Sequence, residues 1–113
     1  MANIDAHHNN NVLRLLKVLD SAFDHLPIET SLIAYEVILI AMKFHVENEE
    51  LPLKVIFSNK NFTEMGARYH LNRLIKNGWL SSERSQSDLR VKVISPTKKL
   101  ICAYNKFEKF SAV

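Results

Sequence analysis

Between Thr63 and Lys76 the chain reads TEMGARYHLNRLIK, and its polar members fall on one side of a helical period. Ala67, His70, Leu71, Leu74 and Ile75 form an inner stripe, while Met65, Arg68, Tyr69, Asn72, Arg73 and Lys76 lie opposite. Side chains of these outer types form directed hydrogen bonds to planar groups. Asparagine can pair bidentately with adenine, arginine with guanine, and lysine or tyrosine can hold phosphate oxygens. Gly66 costs a helix interior roughly 1 kcal/mol relative to alanine, so it needs a reason: close approach of the helix backbone to DNA, or, equally, a place in the first turn, where the penalty is smaller, or packing against the neighbouring helix. Glu64 suits a capping role better than a cytosine contact.

A second polar cluster, ERSQSDLRVKV, spans residues 83–93. On its charges alone it is a solvated hairpin tip. Its setting differs from that of other loops, because charge divides unevenly along the chain. Residues 1–50 carry three Lys or Arg against eight Asp or Glu, a net of −5, and residues 51–113 carry twelve against four, a net of +8. Confining the excess positive charge to one half suggests a face built for a polyanion, with Lys54, Lys60 and Lys76 as candidate phosphate contacts.

Other chemistries find little support. A single cysteine, Cys102, excludes an internal disulfide framework and points to a reducing compartment; beside Ile101 on an apolar helix face, its thiol is expected to be buried. His7 and His8 are adjacent near the start and His25, His45 and His70 are scattered, so no metal site is expected. Nucleophile, base and orienting group do not occur at recognisable spacing, and no glycine-rich phosphate loop is present, so neither catalysis nor a cofactor is expected. The longest apolar stretch, Leu32 to Met42, is too short to cross a bilayer and contains Glu36, and nothing resembles a signal peptide; a cytoplasmic protein with no membrane partner is expected.

At 113 residues, 47% of them hydrophobic, with two glycines and three prolines, the chain reads as one mainly helical domain, 1–113. Val12, Leu15, Leu16, Leu19, Ala22, Phe23 and Leu26 predict an amphipathic helix over 11–25, closed by Pro27. Residues 28–46 are apolar almost all round, which predicts a central helix. A short helix follows, with Pro52 in its first turn, and then a turn at SNKN. Asn61 as N-cap with Glu64 three residues on predicts the next helix from about Phe62, ended at Gly78. The period then changes to two. Strands are expected at 79–84 and 90–94, joined by residues 85–89, and Ser95 with Pro96 is expected to open a last helix carrying Leu100, Ile101, Tyr104, Phe107 and Phe110. Helix, turn, helix and two-stranded ribbon is the order of a winged helix-turn-helix: mainly α, with about five to six helices and a small β-hairpin as the wing.

The stretch RLIKNGWLSSERSQSDLRVKVISPT, residues 73–97, resembles the MarR family of bacterial transcriptional regulators and its short SarA-type members. The resemblance rests on Leu74, Gly78, Arg84, Ser85, Asp88, Arg90 and Thr97 at family spacing, and is strongest over residues 63–97. It implies a homodimer formed by the terminal helices, here about 11–26 and 96–111, with residues 52–95 as helix-turn-helix and wing. It further implies a recognition helix in the major groove of double-stranded DNA and a wing arginine in the minor groove. On this chain the outward face and residue types of that helix make Thr63, Met65, Gly66, Arg68, Tyr69, Asn72 and Arg73 the expected recognition-helix contacts. Arg84, Ser85, Asp88 and Arg90 become the wing contacts, with Arg90 reaching and Asp88 orienting it.

The physical reading of the tip agrees, since a carboxylate two residues from Arg90 is neutralised while it fixes the arginine's direction. Both ends are shorter than is usual for MarR proteins, so an effector pocket is possible but unsupported. The expected function is a sequence-specific DNA-binding transcriptional regulator of the bacterial cytosol or nucleoid. The alternatives are a winged-helix protein-interaction module and a plasmid or phage maintenance protein.

Overall fold

The computed structural model describes residues 6–28 and 31–111, and the side chains of 12–28 and 31–110. Met1 to Asp5 lie outside, as do Glu29 and Thr30 at the expected start of the central helix and the side chains of His7 and His8.

Among the described residues, five helices and three strands follow in the order α1 (Ala6–His25), α2 (Leu32–Val46), β1 (Leu51–Pro52), α3 (Leu53–Phe57), α4 (Glu64–Lys76), β2 (Leu80–Arg84), β3 (Lys92–Pro96) and α5 (Lys98–Ser111). The expected class holds, mainly helical with a small wing, and several boundaries move. Among the described residues α1 runs from Ala6, five residues before the expected start at residue 11. α2 begins at Leu32 because Ser31 caps it, its Oγ accepting from Ala34 N–H at 3.2 Å. Pro52 is the residue before α3, with φ −67° and ψ 144°, and not in its first turn.

The strand β1 was not expected. It pairs antiparallel with β3, Leu51 opposite Ile94 and Pro52 opposite Val93, so the sheet runs β1-β3-β2 and the hairpin has a third member on its protein side. The hairpin itself pairs Leu80 with Pro96 through Arg84 with Lys92, which places Ser95 and Pro96 in β3. Thr97 takes over the capping of α5. Leu100 N–H approaches its Oγ1 at 3.4 Å, and the same hydroxyl lies 2.7 Å from Gly78 O and 3.0 Å from Trp79 O. One threonine thereby ties the start of α5 to the end of α4.

α4 ends as its glycine predicts. Gly78 has φ 81°, Gly78 N–H donates to Ile75 O and Trp79 N–H to Leu74 O, the paired bonds that close a helix through a left-handed residue. Its start is corrected: Thr63, not Asn61, is the N-cap, its Oγ1 accepting from Gly66 N–H at 3.0 Å. Asn61 instead donates its side-chain amide to Glu36.

The core joins Val37, Ile38 and Ala41 of α2 to Ala67, Leu71 and Leu74 of α4, with Ile56, Leu80, Ile94 and Leu100 closing it. α1 packs along α5 and reaches this core only near its C-terminal end, through Ala22 with Val18 against it. Ala22 and Leu26 are buried and Ser21 donates to Phe107 O, whereas Val12, Leu13, Leu15, Leu16, Leu19 and Phe23 are exposed. The radius of gyration, 16.1 Å, exceeds the about 13 Å of a compact chain of this length. The excess agrees with a protomer in which much of the apolar side of α1 lies off its own core.

Candidate nucleic-acid interface

α4 buries Ala67, Leu71 and Leu74 against α2, and this fixes what points outward. Thr63, Met65, Arg68, Tyr69, Asn72, Arg73 and Lys76 are all exposed, Met65 to 82%. His70 faces inward as expected, its Nε2 at 3.1 Å from Ser31 Oγ.

The outer side chains are partly ordered by one another. Arg68 donates to Glu64 at 3.1 Å and lies 4.4 Å above the Phe57 ring. Arg73 donates to the Tyr69 hydroxyl at 2.9 Å. The exposed Arg68–Glu64 bridge contributes at most about 1 kcal/mol to stability, so a phosphate or base edge can compete for the guanidinium at little cost. Asn72, between the two arginines, makes no side-chain hydrogen bond among the described residues.

The wing tip spans seven residues, Ser85 to Val91, between β2 and β3, two more than the hairpin loop expected. Ser85 N–H donates to Val91 O at 2.8 Å and closes it. Within the tip Asp88 and Arg90 meet as a fork: Arg90 Nε donates to Asp88 Oδ1 at 3.2 Å, Arg90 Nη2 to Oδ2 at 3.4 Å, and Arg90 N–H to Oδ1 at 3.1 Å. These bonds hold the Asp88 carboxyl below its ordinary pKa. The Arg90 side chain is nonetheless 91% exposed. A pair this exposed does little for stability, but it aims a cation outward from the tip. Arg84 does not join the fork; it donates to Leu89 O at 2.9 Å and so braces the loop.

A scan of protein-family models finds none that matches the sequence, and a search among curated proteins finds no relative. Solved structures do match. The transcriptional regulator Tm0710 from Thermotoga maritima superposes with a TM-score of 0.68 at 12% identity, covering 91% of this chain and 72% of that one. The heme sensor PefR from Streptococcus agalactiae, in complex with heme, gives 0.60 at 22% identity, with 97% and 74% covered. A mutant MarR from E. coli, complexed with operator DNA, gives 0.60 at 12% identity, with 90% and 71% covered. The fold is that of the MarR family.

Within the MarR-type frame, one open reading is narrowed, that of Gly66, and two expectations change, those for Ser85 and Cys102. Gly66 faces α2: a Cβ there would meet Ile33 Cδ1 at 3.0 Å and Thr63 Oγ1 at 3.2 Å, so the glycine allows helix packing and not close approach to a ligand. Replacing it by valine should therefore lower stability by about 2 kcal/mol through overpacking. Gly66→Ala should stay within about 1 kcal/mol of the parent, because better helix propensity offsets a small shift of Ile33. Urea denaturation checks both. A stable Gly66→Val protein defective only in binding would restore the ligand-approach reading.

Ser85 is 3% exposed, so its hydroxyl does not reach a ligand. It donates to Glu50 Oε1 at 2.6 Å and accepts from the N–H groups of Ser87 and Asp88, at 3.2 and 3.3 Å. Glu50 was missed in the sequence because it lies 35 positions away. Cys102 is exposed, against the expectation of a buried thiol; it sits beside Lys99, Lys106 and His25 on the outer side of α5.

The candidate phosphate contacts Lys54, Lys60 and Lys76 are all exposed, on α3, the turn after it and the end of α4. No described helix is long and apolar enough to cross a membrane.

Proposed function

We propose that this chain is a sequence-specific regulator of transcription that binds double-stranded DNA as a homodimer in the bacterial cytosol. α4 enters the major groove with Thr63, Met65, Arg68, Tyr69, Asn72 and Arg73. Arg90, aimed by Asp88, enters the minor groove, where a guanidinium gains from the enhanced negative potential of narrow A·T-rich stretches. Arg84 supports the wing, and Lys54, Lys60 and Lys76 hold phosphates. The observation that carries the reading is the pairing, in one MarR-type frame, of an outward α4 face of base-reading types with an exposed, carboxylate-oriented arginine at the wing tip. The operator complex of the E. coli neighbour supports it.

The exposed apolar side of α1 supports dimerisation. Its exposed leucines and Phe23 form a stripe that the protomer's own core does not cover, alongside Phe110 of α5. A patch of this kind on a small protein marks an interface, and a twofold axis there sets two α4 helices for half-sites about one helical turn apart.

Fluorescence anisotropy with duplex DNA at several salt concentrations tests the reading. Three lysines per protomer make six phosphate contacts per dimer, so affinity should fall about a thousandfold between roughly 50 and 200 mM salt. A flat dependence, or no binding at low salt, would transfer the basic face to an acidic protein partner.

A further inference from the structure

The wing tip is not held by the hairpin alone. Glu50 reaches it from the turn after α2, and three groups of the tip converge on its carboxylate: Ser85 Oγ on Oε1 at 2.6 Å, Gln86 N–H on Oε2 at 3.1 Å and Ser87 Oγ on Oε1 at 3.5 Å. Ser85 Oγ is a hub, giving its one proton to Glu50 and accepting the two backbone N–H groups that turn the chain toward Asp88, with the Ser87 hydroxyl 3.0 Å away, between it and Glu50. The carboxylate itself is fixed by the strand that follows. Leu51 is 1% exposed and pairs with Ile94 in β3, and Asn48, with φ 56°, makes the turn that brings the chain out of α2 and into β1. β1 thus acts as a short arm that presents Glu50 to the tip. The hydrogen bonds hold the Glu50 carboxyl below its ordinary pKa, so the group is charged wherever the protein is folded near neutral pH.

A carboxylate beside a DNA-facing tip is an electrostatic liability, since it repels phosphates. We infer that Glu50 is a positioning residue for the wing: it latches the segment Ser85 to Ser87 so that the Asp88–Arg90 fork points outward in one direction. This rests on the DNA-binding reading above and adds to it the residue that makes the wing competent before DNA arrives. The physical basis is preorganisation. An unlatched tip offers Arg90 in many directions, and the apparent affinity falls by the fraction of protein in the competent one.

The sign of the effect separates this role from simple charge. Removing a negative charge from a DNA-binding surface should tighten binding through the phosphate field. Loss of the latch should weaken it. Glu50→Gln is suitable because an amide keeps the size yet turns one acceptor oxygen into a donor, which then faces the Gln86 N–H or the serine hydroxyls.

The experiment measures anisotropy of a fluorescein-labelled random-sequence duplex pool at low salt, with thermal transitions recorded for every protein. Glu50→Gln and Ser85→Ala should each weaken binding roughly five- to tenfold, and the double variant no more than either alone. Both effects should vanish in an Arg90→Ala background, because the latch acts through that arginine. Binding by Glu50→Gln equal to or tighter than the parent's would overturn the inference and leave the DNA-binding reading intact. So would an equal loss with and without Arg90. Failure of the parent protein to bind any duplex would overturn both.

Discussion

Replacing Leu15 and Leu16 together by glutamate is expected to turn a homodimer into 13.0 kDa monomers and to weaken binding to a palindromic duplex by about a hundredfold or more. The two leucines are 66% and 52% exposed in the protomer, so their loss removes little from its own core. In a dimer built on α1 they are interfacial, and burying two carboxylates there without partners costs several kcal/mol. The duplex affinity then falls because each recognition unit binds alone, without the effective concentration supplied by its tethered twin. Sedimentation equilibrium reports the mass and anisotropy the affinity, while circular dichroism should show the same helix content. A parent protein that sediments as a monomer, or a double variant that remains dimeric, would remove α1 from the interface.

Arg90→Ala is expected to weaken operator binding at least roughly thirtyfold, about 2 kcal/mol, with no change in melting temperature. The two halves have separate grounds. The affinity loss counts one arginine in each of two wings, at about 1 kcal/mol or more apiece. The unchanged stability follows from exposure: the side chain is 91% exposed and its bridge to Asp88 is a surface pair. Arg90→Lys should recover only part of the loss, because an ammonium keeps the charge but cannot match the carboxylate fork that aims the guanidinium. Equal affinity of Arg90→Ala and parent would remove the wing from the interface.

Much of this architecture could be read from the chain, and what could not has physical causes. α4 was legible because thirteen residues give several turns of a 3.6 period and Gly78 marks the end. The wing was legible from its period of two and from the spacing of Arg84, Asp88 and Arg90. β1 was not, since two residues have no period and Pro52 there is equally at home before a helix. The cap of α4 was misplaced because Asn61 and Thr63 are both good caps, and only the partner supplied by Glu36 draws Asn61 away. Ile101 suggested a buried Cys102, yet the inner face of α5 is set by Leu100 and Phe107, and Cys102 lies off it.

The roles of Gly66, Ser85 and Glu50 depend on contacts between distant segments. Sequence leaves Gly66 open between DNA approach, a first-turn position and helix packing until Ile33 is seen against it. Ser85 reads as a tip residue until its hydroxyl is found buried on a carboxylate from the turn that leads into β1. Local sequence carries the periodic elements and the directed charges; the third strand brings together the residues that hold the wing in place.

Selection of bound sites from a random duplex library, with the full-length protein at moderate salt, addresses the central claim most directly. The account predicts enrichment of a pseudo-palindrome whose half-sites lie about one helical turn apart, with an A·T-rich position flanking each half where Arg90 reaches the minor groove. A library that emerges without an enriched motif would contradict it.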